Sequence, residues 1–199
     1  MRVPTLLMLL LGLVPCVASA GEAGLIARVN GAPTLERAGK TEALKRGNNV
    51  FTGDVIETDA NSKVKILLND DSVLAIGPKS RVTVSDFVLA ASGRDVRLQV
   101  LAGRFKIAIS KFFGAHTDYE IRTPTAVAGV RGTVLWGDTG LDAICALEGT
   151  IEVRPRTGAG APAQLSSGEC VSQMAAGKTA PLKPTAEELA AYLKEVTLD

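Results

Sequence analysis

The chain has 199 residues, of which 46% are hydrophobic and 22% are charged, and its 22 Lys and Arg residues nearly balance its 21 Asp and Glu residues. This composition is typical of a globular protein and excludes a disordered, collagen-like or coiled-coil chain. Because there is no basic excess, we expect no nucleic-acid partner. The length favours one domain with a sizeable core.

Residues 1–20 have the pattern of a cleavable export signal. Arg2 precedes a short apolar run, and Ala18 and Ala20 form a small-x-small cleavage site before Gly21. An uncleaved membrane anchor is the alternative, but a spanning helix needs about 20 predominantly apolar residues and this run is shorter. We therefore expect an exported protein with no transmembrane segment after cleavage.

The three cysteines bear on the fate of the exported chain. Cys16 is a poor site for a lipid anchor, because Pro15 stands where a lipobox has a small residue. Cleavage leaves 21 basic and 21 acidic residues, together with Cys145 and Cys170. In an oxidising compartment an even number of cysteines favours a disulfide between these two residues, and two buried free thiols are the alternative.

Short segments of alternating polarity, separated by Gly, Asn, Asp or Pro, follow the export signal. Val64, Ile66 and Leu68 share one face of such a segment, and Lys63 and Lys65 share the other. Period-2 alternation over many segments predicts an all-β domain, either a twisted β-solenoid or a β-sandwich. In residues 134–136 it predicts Val134 and Trp136 on the buried face. The same alternation recurs in residues 72–76, 82–84, 96–100, 104–109, 119–121, 141–147 and 150–153.

The C-terminal segment, residues 181–199, is predicted to be a Pro-containing linker followed by a short helix. Thr185 and Glu188 have the spacing of a capping box at a helix start. We expect the helix to dock on the β-domain, and a partner-binding helix is the alternative. Its predicted apolar face consists of Leu189, Tyr192, Leu193 and Val196.

Few residues are candidates for chemistry. Asp54, Glu57 and Asp59 form the densest carboxylate cluster, but a turn in which Asp54 accepts backbone N–H groups explains it better than paired acid–base catalysis. His116 lacks companions at metal-ligand spacing. Arg131 is expected to be structural, either paired with a carboxylate such as Asp54 or bonded to backbone carbonyls of its turn, and capture of a ligand is the alternative. We therefore predict no catalytic residue, no metal site and no cofactor.

The connection at residues 111–117 is a candidate interaction loop. Phe112 and Phe113 are adjacent and cannot both point to the same face of a strand, and His116 follows them. One exposed ring would make this loop a contact surface. The alternative is that neighbouring loops cover both rings.

Five motifs, taken in order, resemble the FecR-type domain of bacterial envelope proteins over residues 25–174. Each motif is mainly turn chemistry, and their order and spacing carry the resemblance. One departure is Asp71, which stands where the family usually has Gly and suggests a different turn type. The motifs are Gly53-Asp54-Val55-Ile56-Glu57-Thr58; Asp71-Ser72 with Gly77-Pro78-Lys79-Ser80; Leu101-Ala102-Gly103; Thr123-Pro124-Thr125-Ala126 with Val130-Arg131-Gly132-Thr133; and Leu147-Glu148-Gly149.

The resemblance implies a twisted β-solenoid at residues 21–180, located in the periplasm. It also implies a non-catalytic protein-interaction or envelope-signalling module with an envelope protein as its partner. The best-known members reach a cytoplasmic sigma factor through a cytoplasmic segment and a membrane helix. Because an export signal replaces those parts here, we expect no direct sigma-factor contact. The alternative function is glycan or peptidoglycan binding, against which the low number of aromatic residues argues.

Overall fold

The computed structural model describes residues 21–156 and 160–198. The predicted export signal, with Ala18 and Ala20 of its cleavage site, lies outside the described residues. Gly21, the predicted first residue after cleavage, directly precedes the first strand.

Within the described residues, seventeen strands form two sheets, followed by a 3-10 turn (Met174–Ala176) and one short α-helix. The first sheet has the strand order β17-β14-β13-β10-β7-β6-β1-β4. Its strands are β1 (Glu22–Asn30), β4 (Asn49–Phe51), β6 (Lys63–Leu68), β7 (Val73–Ile76), β10 (Arg104–Ala108), β13 (Val134–Asp138), β14 (Ala143–Glu148) and β17 (Cys170–Ser172).

The second sheet has the strand order β16-β15-β12-β11-β9-β8-β5-β2-β3. Its strands are β2 (Thr34–Arg37), β3 (Lys40–Ala43), β5 (Val55–Glu57), β8 (Arg81–Ala90), β9 (Gly93–Ala102), β11 (His116–Arg122), β12 (Ala126–Val130), β15 (Ile151–Pro155) and β16 (Ala163–Leu165).

The chain passes repeatedly from one sheet to the other after one or two strands, so both sheets advance in nearly the same direction as the sequence. Neighbouring strands are antiparallel except β9 and β11, which are parallel. The prediction of a mostly β protein with a short C-terminal helix is confirmed. The two-sheet layering fits the sandwich alternative, and the solenoid stays a prediction.

One hydrophobic core lies between the sheets and contains side chains from both. In β6 the alternation seen in the sequence places Val64, Ile66 and Leu68 in this core, each at most 1% exposed. Phe105 and Ile107 of β10 are fully buried in the same way. Burial of each such side chain contributes about 1.5–3 kcal/mol.

Strand β13 departs from the predicted alternation. The pattern places Val134 and Trp136 on the core face, whereas Leu135 enters the core and Trp136 lies on the outer face of the first sheet. Trp136 is nevertheless fully buried, because it packs with Cys145, Cys170 and the C-terminal segment. A covered outer face buries residues of both parities, so alternation cannot tell the two faces apart.

Cys145 and Cys170 form a disulfide in this outer cluster. They lie directly opposite each other on the antiparallel strands β14 and β17. The bond therefore links the last strand of the first sheet to its neighbour.

The C-terminal helix α1 spans Ala186–Lys194 and begins with the predicted capping box of Thr185 and Glu188. Its Tyr192 ring stacks on Trp136 with 4.7 Å between ring centroids, so the helix docks on the first sheet, the first of the two alternatives above. Across residues 21–156 and 160–198, no helix is both long and apolar enough to span a membrane.

The chain continues along the outer face of the first sheet after α1. Val196 and Leu198 are at most 7% exposed. Lys63 donates from Nζ to the carbonyl oxygens of Lys194 and Thr197, at 2.9 and 3.1 Å. The helix and the residues after it thus form one cover over this sheet.

Candidate functional site

Four of the motif residues meet where the chain crosses between the sheets. Thr58 Oγ1 donates to the Gly77 carbonyl oxygen at 2.7 Å and accepts from the Ser80 amide at 2.9 Å. Ser80 Oγ accepts from the Arg104 amide at 3.0 Å. Gly103 has a φ of 91°, and a Cβ there would overlap Ser80, so only glycine fits. These positions hold successive passes of the chain together.

The later motifs form turns in the same manner. Thr123 Oγ1 accepts from the Ala126 amide at 3.0 Å, which closes the turn that contains Pro124. Gly149 lies against the side chain of Thr133. Gly53 donates its amide to the Val84 carbonyl oxygen at 2.8 Å. These motif residues therefore have structural partners.

Asp54 is 1% exposed, and its partner is Arg37. Arg37 donates from Nε and Nη2 to the two carboxylate oxygens, each at 2.7 Å. Asp54 Oδ2 also accepts from the Phe51 amide at 2.8 Å, in agreement with its predicted turn role. Its hydrogen bond to the Asp54 carboxylate raises the pKa of Arg37. The prediction of a structural Arg131 is wrong: Arg37 on β2 occupies both oxygens of Asp54, and Arg131 bonds neither a carboxylate nor a backbone carbonyl within residues 21–156 and 160–198.

The other two carboxylates of the cluster have separate partners. Glu57 pairs with Arg81 on the neighbouring strand β8. Asp59 Oδ1 accepts from the Asn61 amide at 2.7 Å, and this hydrogen bond lowers the pKa of Asp59. The three carboxylates thus do not form an acid–base pair across a cleft.

Asp71 adopts a φ of 63°, in the left-handed region that glycine favours. We expected a different turn type from this departure, but Asp71 adopts a conformation that glycine favours, so the departure does not require one. Asp tolerates this conformation better than most residues, at some energetic cost.

An ion pair between Arg94 and Asp70 is buried between the sheets, with the two side chains 1% and 0% exposed. Arg94 Nη1 donates to Asp70 Oδ2 at 2.7 Å, and Nη2 donates to the Ser110 carbonyl oxygen at 2.8 Å. The guanidinium lies 5.3 Å from the ring centroid of Tyr119. Burial raises the pKa of Tyr119 above its usual value. The sequence gives no signal for this pair, since its members are 24 residues apart.

The 111–117 loop lies directly beside this ion pair, between β10 and β11, and its last two residues belong to β11. Phe113 is 94% exposed. Phe112 is half-buried, with its ring centroid 5.4 Å from the Arg94 guanidinium. The ring folds over Gly114, where a Cβ would overlap it. Phe113 is therefore uncovered, so the alternative in which neighbouring loops cover both rings is wrong.

A cleft of about 290 Å3 opens beside the two rings. We call it the end cleft. Arg131 and Gly132 of the motif turn also line it, and the aliphatic stem of Lys111 lies over Gly132. His116 is exposed beside the cleft, at the start of β11. The end cleft is lined by Arg94, Lys111, Phe112, Phe113, Thr117, Arg131 and Gly132.

The comparisons with known proteins bear on this arrangement. A sequence model described as "FecR protein" matches residues 54–159, about half of the chain. The chain belongs to the FecR family. This confirms the resemblance seen in the turn motifs, and it places the Arg131-Gly132-Thr133 turn and the 111–117 loop within the matched FecR region. No curated protein matches the sequence.

Two crystal structures of a candidate anti-sigma factor from Parabacteroides distasonis, at 1.65 and 2.50 Å resolution, are similar to this FecR-family protein. The TM-score is 0.54 for each, with 16% and 17% sequence identity. Each alignment covers 70% of this chain and 64% or 63% of the other. The chain thus spans less than two thirds of those proteins, and the likeness shows the fold alone.

Proposed function

We propose that this FecR-family protein is a non-catalytic protein-interaction module of envelope signalling and acts in the periplasm. The exposure of Phe113 carries the proposal. A ring that is 94% exposed has no role in the core. Aromatic rings that a partner buries on binding often anchor protein interfaces. The disulfide supports an oxidising compartment. The structural partners of Asp54, Glu57 and Asp59 support a non-catalytic role.

The alternative, glycan binding, would need several exposed aromatic rings to stack on sugars. Among the described residues, Phe113 is the one fully exposed aromatic side chain. Trp136 is fully buried, and Tyr192 is half-buried with one face stacked on Trp136, so these two rings do not form an exposed platform for sugars. We therefore favour a protein partner.

Affinity capture from native envelope extract tests this function. Residues 21–199 would serve as the bait, and mass spectrometry would identify the bound proteins. We expect one envelope protein at near-equal amount, and we expect Phe113→Ala to reduce its recovery. The control is Leu101→Ala, which removes an apolar side chain 41% exposed at the far end of β9. Recovery that is independent of Phe113, or recovery of glycan alone, would contradict the proposal.

A further inference from the structure

The end cleft is electropositive. Six arginines outside the cleft each form an ion pair with a carboxylate among the described residues: Arg37, Arg81, Arg97, Arg104, Arg122 and Arg154. Arg131 is exposed and makes neither an ion pair nor a side-chain hydrogen bond within residues 21–156 and 160–198.

The lining of the end cleft contains three cations and no carboxylate. The charge of Arg94 is neutralised by its ion pair with Asp70. The buried Nε of Arg94 has no hydrogen-bond partner among the described residues. Lys111 and Arg131 both line the cleft and form no ion pair among the described residues, so their two positive charges remain uncompensated. Opposite charge on a partner would complement them.

Apolar surface lies next to these charges. Phe113 forms one rim of the cleft. Leu89, near the tip of the β8–β9 hairpin, lies opposite Arg94 in the strand register and is 43% exposed. A ligand for this end of the molecule therefore needs an anionic group and an apolar group side by side, which an inorganic anion does not provide.

We propose that the end cleft binds an acidic segment of the partner protein, an inference that rests on the proposed function. An Asp or Glu carboxylate of the segment pairs with Arg131 and Lys111, and a neighbouring apolar side chain covers Phe113. Arg131 can hold the carboxylate with two parallel hydrogen bonds, whereas Lys111 contributes a point charge. The family turn Arg131-Gly132-Thr133 then has a recognition role at its first residue and a structural role at its last.

A random decapeptide library displayed on phage is a suitable probe, selected against residues 21–199. We expect enriched peptides to carry Asp or Glu beside a large apolar residue. Fluorescence anisotropy then measures the affinity of one selected peptide and of its Lys-substituted form. We expect Arg131→Ala to weaken binding about tenfold, the loss of one interface anchor. Higher salt should weaken it further.

Arg46→Ala is the matched control. Arg46 is exposed beside edge strand β4, four strands away from β10 in the first sheet, which is about 19 Å. The control removes the same charge and should leave binding unchanged. Unaltered Trp136 emission would show that each variant is folded.

Several outcomes would overturn this inference. Selected peptides without acidic residues would do so, as would equal binding by Arg131→Ala and Arg46→Ala. Binding of soluble peptidoglycan fragments in place of peptides would assign the cleft to a glycan. If envelope capture depends on Phe113 but survives Lys111→Ala with Arg131→Ala, the inference fails and the proposed function stands. If capture does not depend on Phe113, the proposed function itself fails.

Discussion

Asp54 shows how a single signature residue holds a turn of this fold. Its carboxylate is buried, accepts two hydrogen bonds from Arg37 and accepts a third from the Phe51 amide. Hydrogen bonds to a charged group contribute more than neutral ones, and a buried polar atom without a partner is costly.

Asp54→Asn should lower the free energy of unfolding by about 1–3 kcal/mol, because an amide cannot accept from Arg37 at both of its terminal atoms. Urea denaturation measures the change. Glu57→Gln is the control, since Glu57 and Arg81 are 43% and 38% exposed and such pairs contribute about 0–1 kcal/mol. Equal effects of the two substitutions would contradict this account.

Replacing Asp71 should raise the stability of the protein, the opposite of the effect expected at Asp54. Asp71 is exposed and has a φ of 63°, so Asp71→Gly should stabilise the protein by up to about 1 kcal/mol. Asp142 also has a positive φ, but it accepts hydrogen bonds from Thr125 and the Ala175 amide. Asp142→Gly should therefore destabilise, and thermal unfolding of both variants compares them. Destabilisation by Asp71→Gly would refute the strain argument.

Local turn chemistry is the part of the candidate site that the sequence predicts. Capping residues and turn glycines act on neighbours a few positions away, so their pattern is visible in one chain. The partners of Asp54 and Arg94 lie 17 and 24 residues away, and packing alone brings them together. For the same reason the sequence predicts a candidate interaction loop at residues 111–117 but not that Arg94 and Arg131 line a cleft beside it.

At the scale of elements, helix α1 acts as a cover for the first sheet. Its capping box predicts where it begins, and Tyr192 and Leu193 pack on the outer cluster around Trp136. The sequence cannot show which strand lies beneath the helix. This is why the alternation places Trp136, rather than Leu135, on the core face of β13.

Tyr192→Ala should loosen this cover. Loss of the stacked ring should cost about 2 kcal/mol in unfolding free energy. Trp136 is the only tryptophan in the chain, so its emission should shift to the red as water reaches it. Tyr192→Phe keeps the stack and should leave the emission unchanged. A red shift of the same size in both variants would show that the ring stack is not what shields Trp136.

At the scale of the whole molecule, strand alternation predicts the mostly β fold, because one face of nearly every strand lies in a shared core. It does not predict the sheet to which each strand belongs. That assignment follows from the crossings between sheets, which depend on contacts such as Thr58 with Ser80. The parallel pairing of β9 and β11 is another result of these crossings.

The disulfide should stabilise the whole domain. Cys145 and Cys170 are 25 residues apart, and closing a loop of that length contributes about 3 kcal/mol on the chain-entropy model. Urea unfolding with and without dithiothreitol should show a loss of this size. The Cys145→Ala/Cys170→Ala variant should be insensitive to the reductant. Wild-type stability that is unaffected by reduction would contradict the prediction.

Site-specific photo-crosslinking in the intact envelope tests the central claim most directly. A photo-crosslinking amino acid in place of Phe113 reports contacts of the end cleft, and one in place of Leu101 serves as the control. The account predicts one envelope protein crosslinked from position 113 and not from position 101, with the crosslink weakened by Arg131→Ala. Equal crosslinking from both positions, or none from position 113, would contradict it.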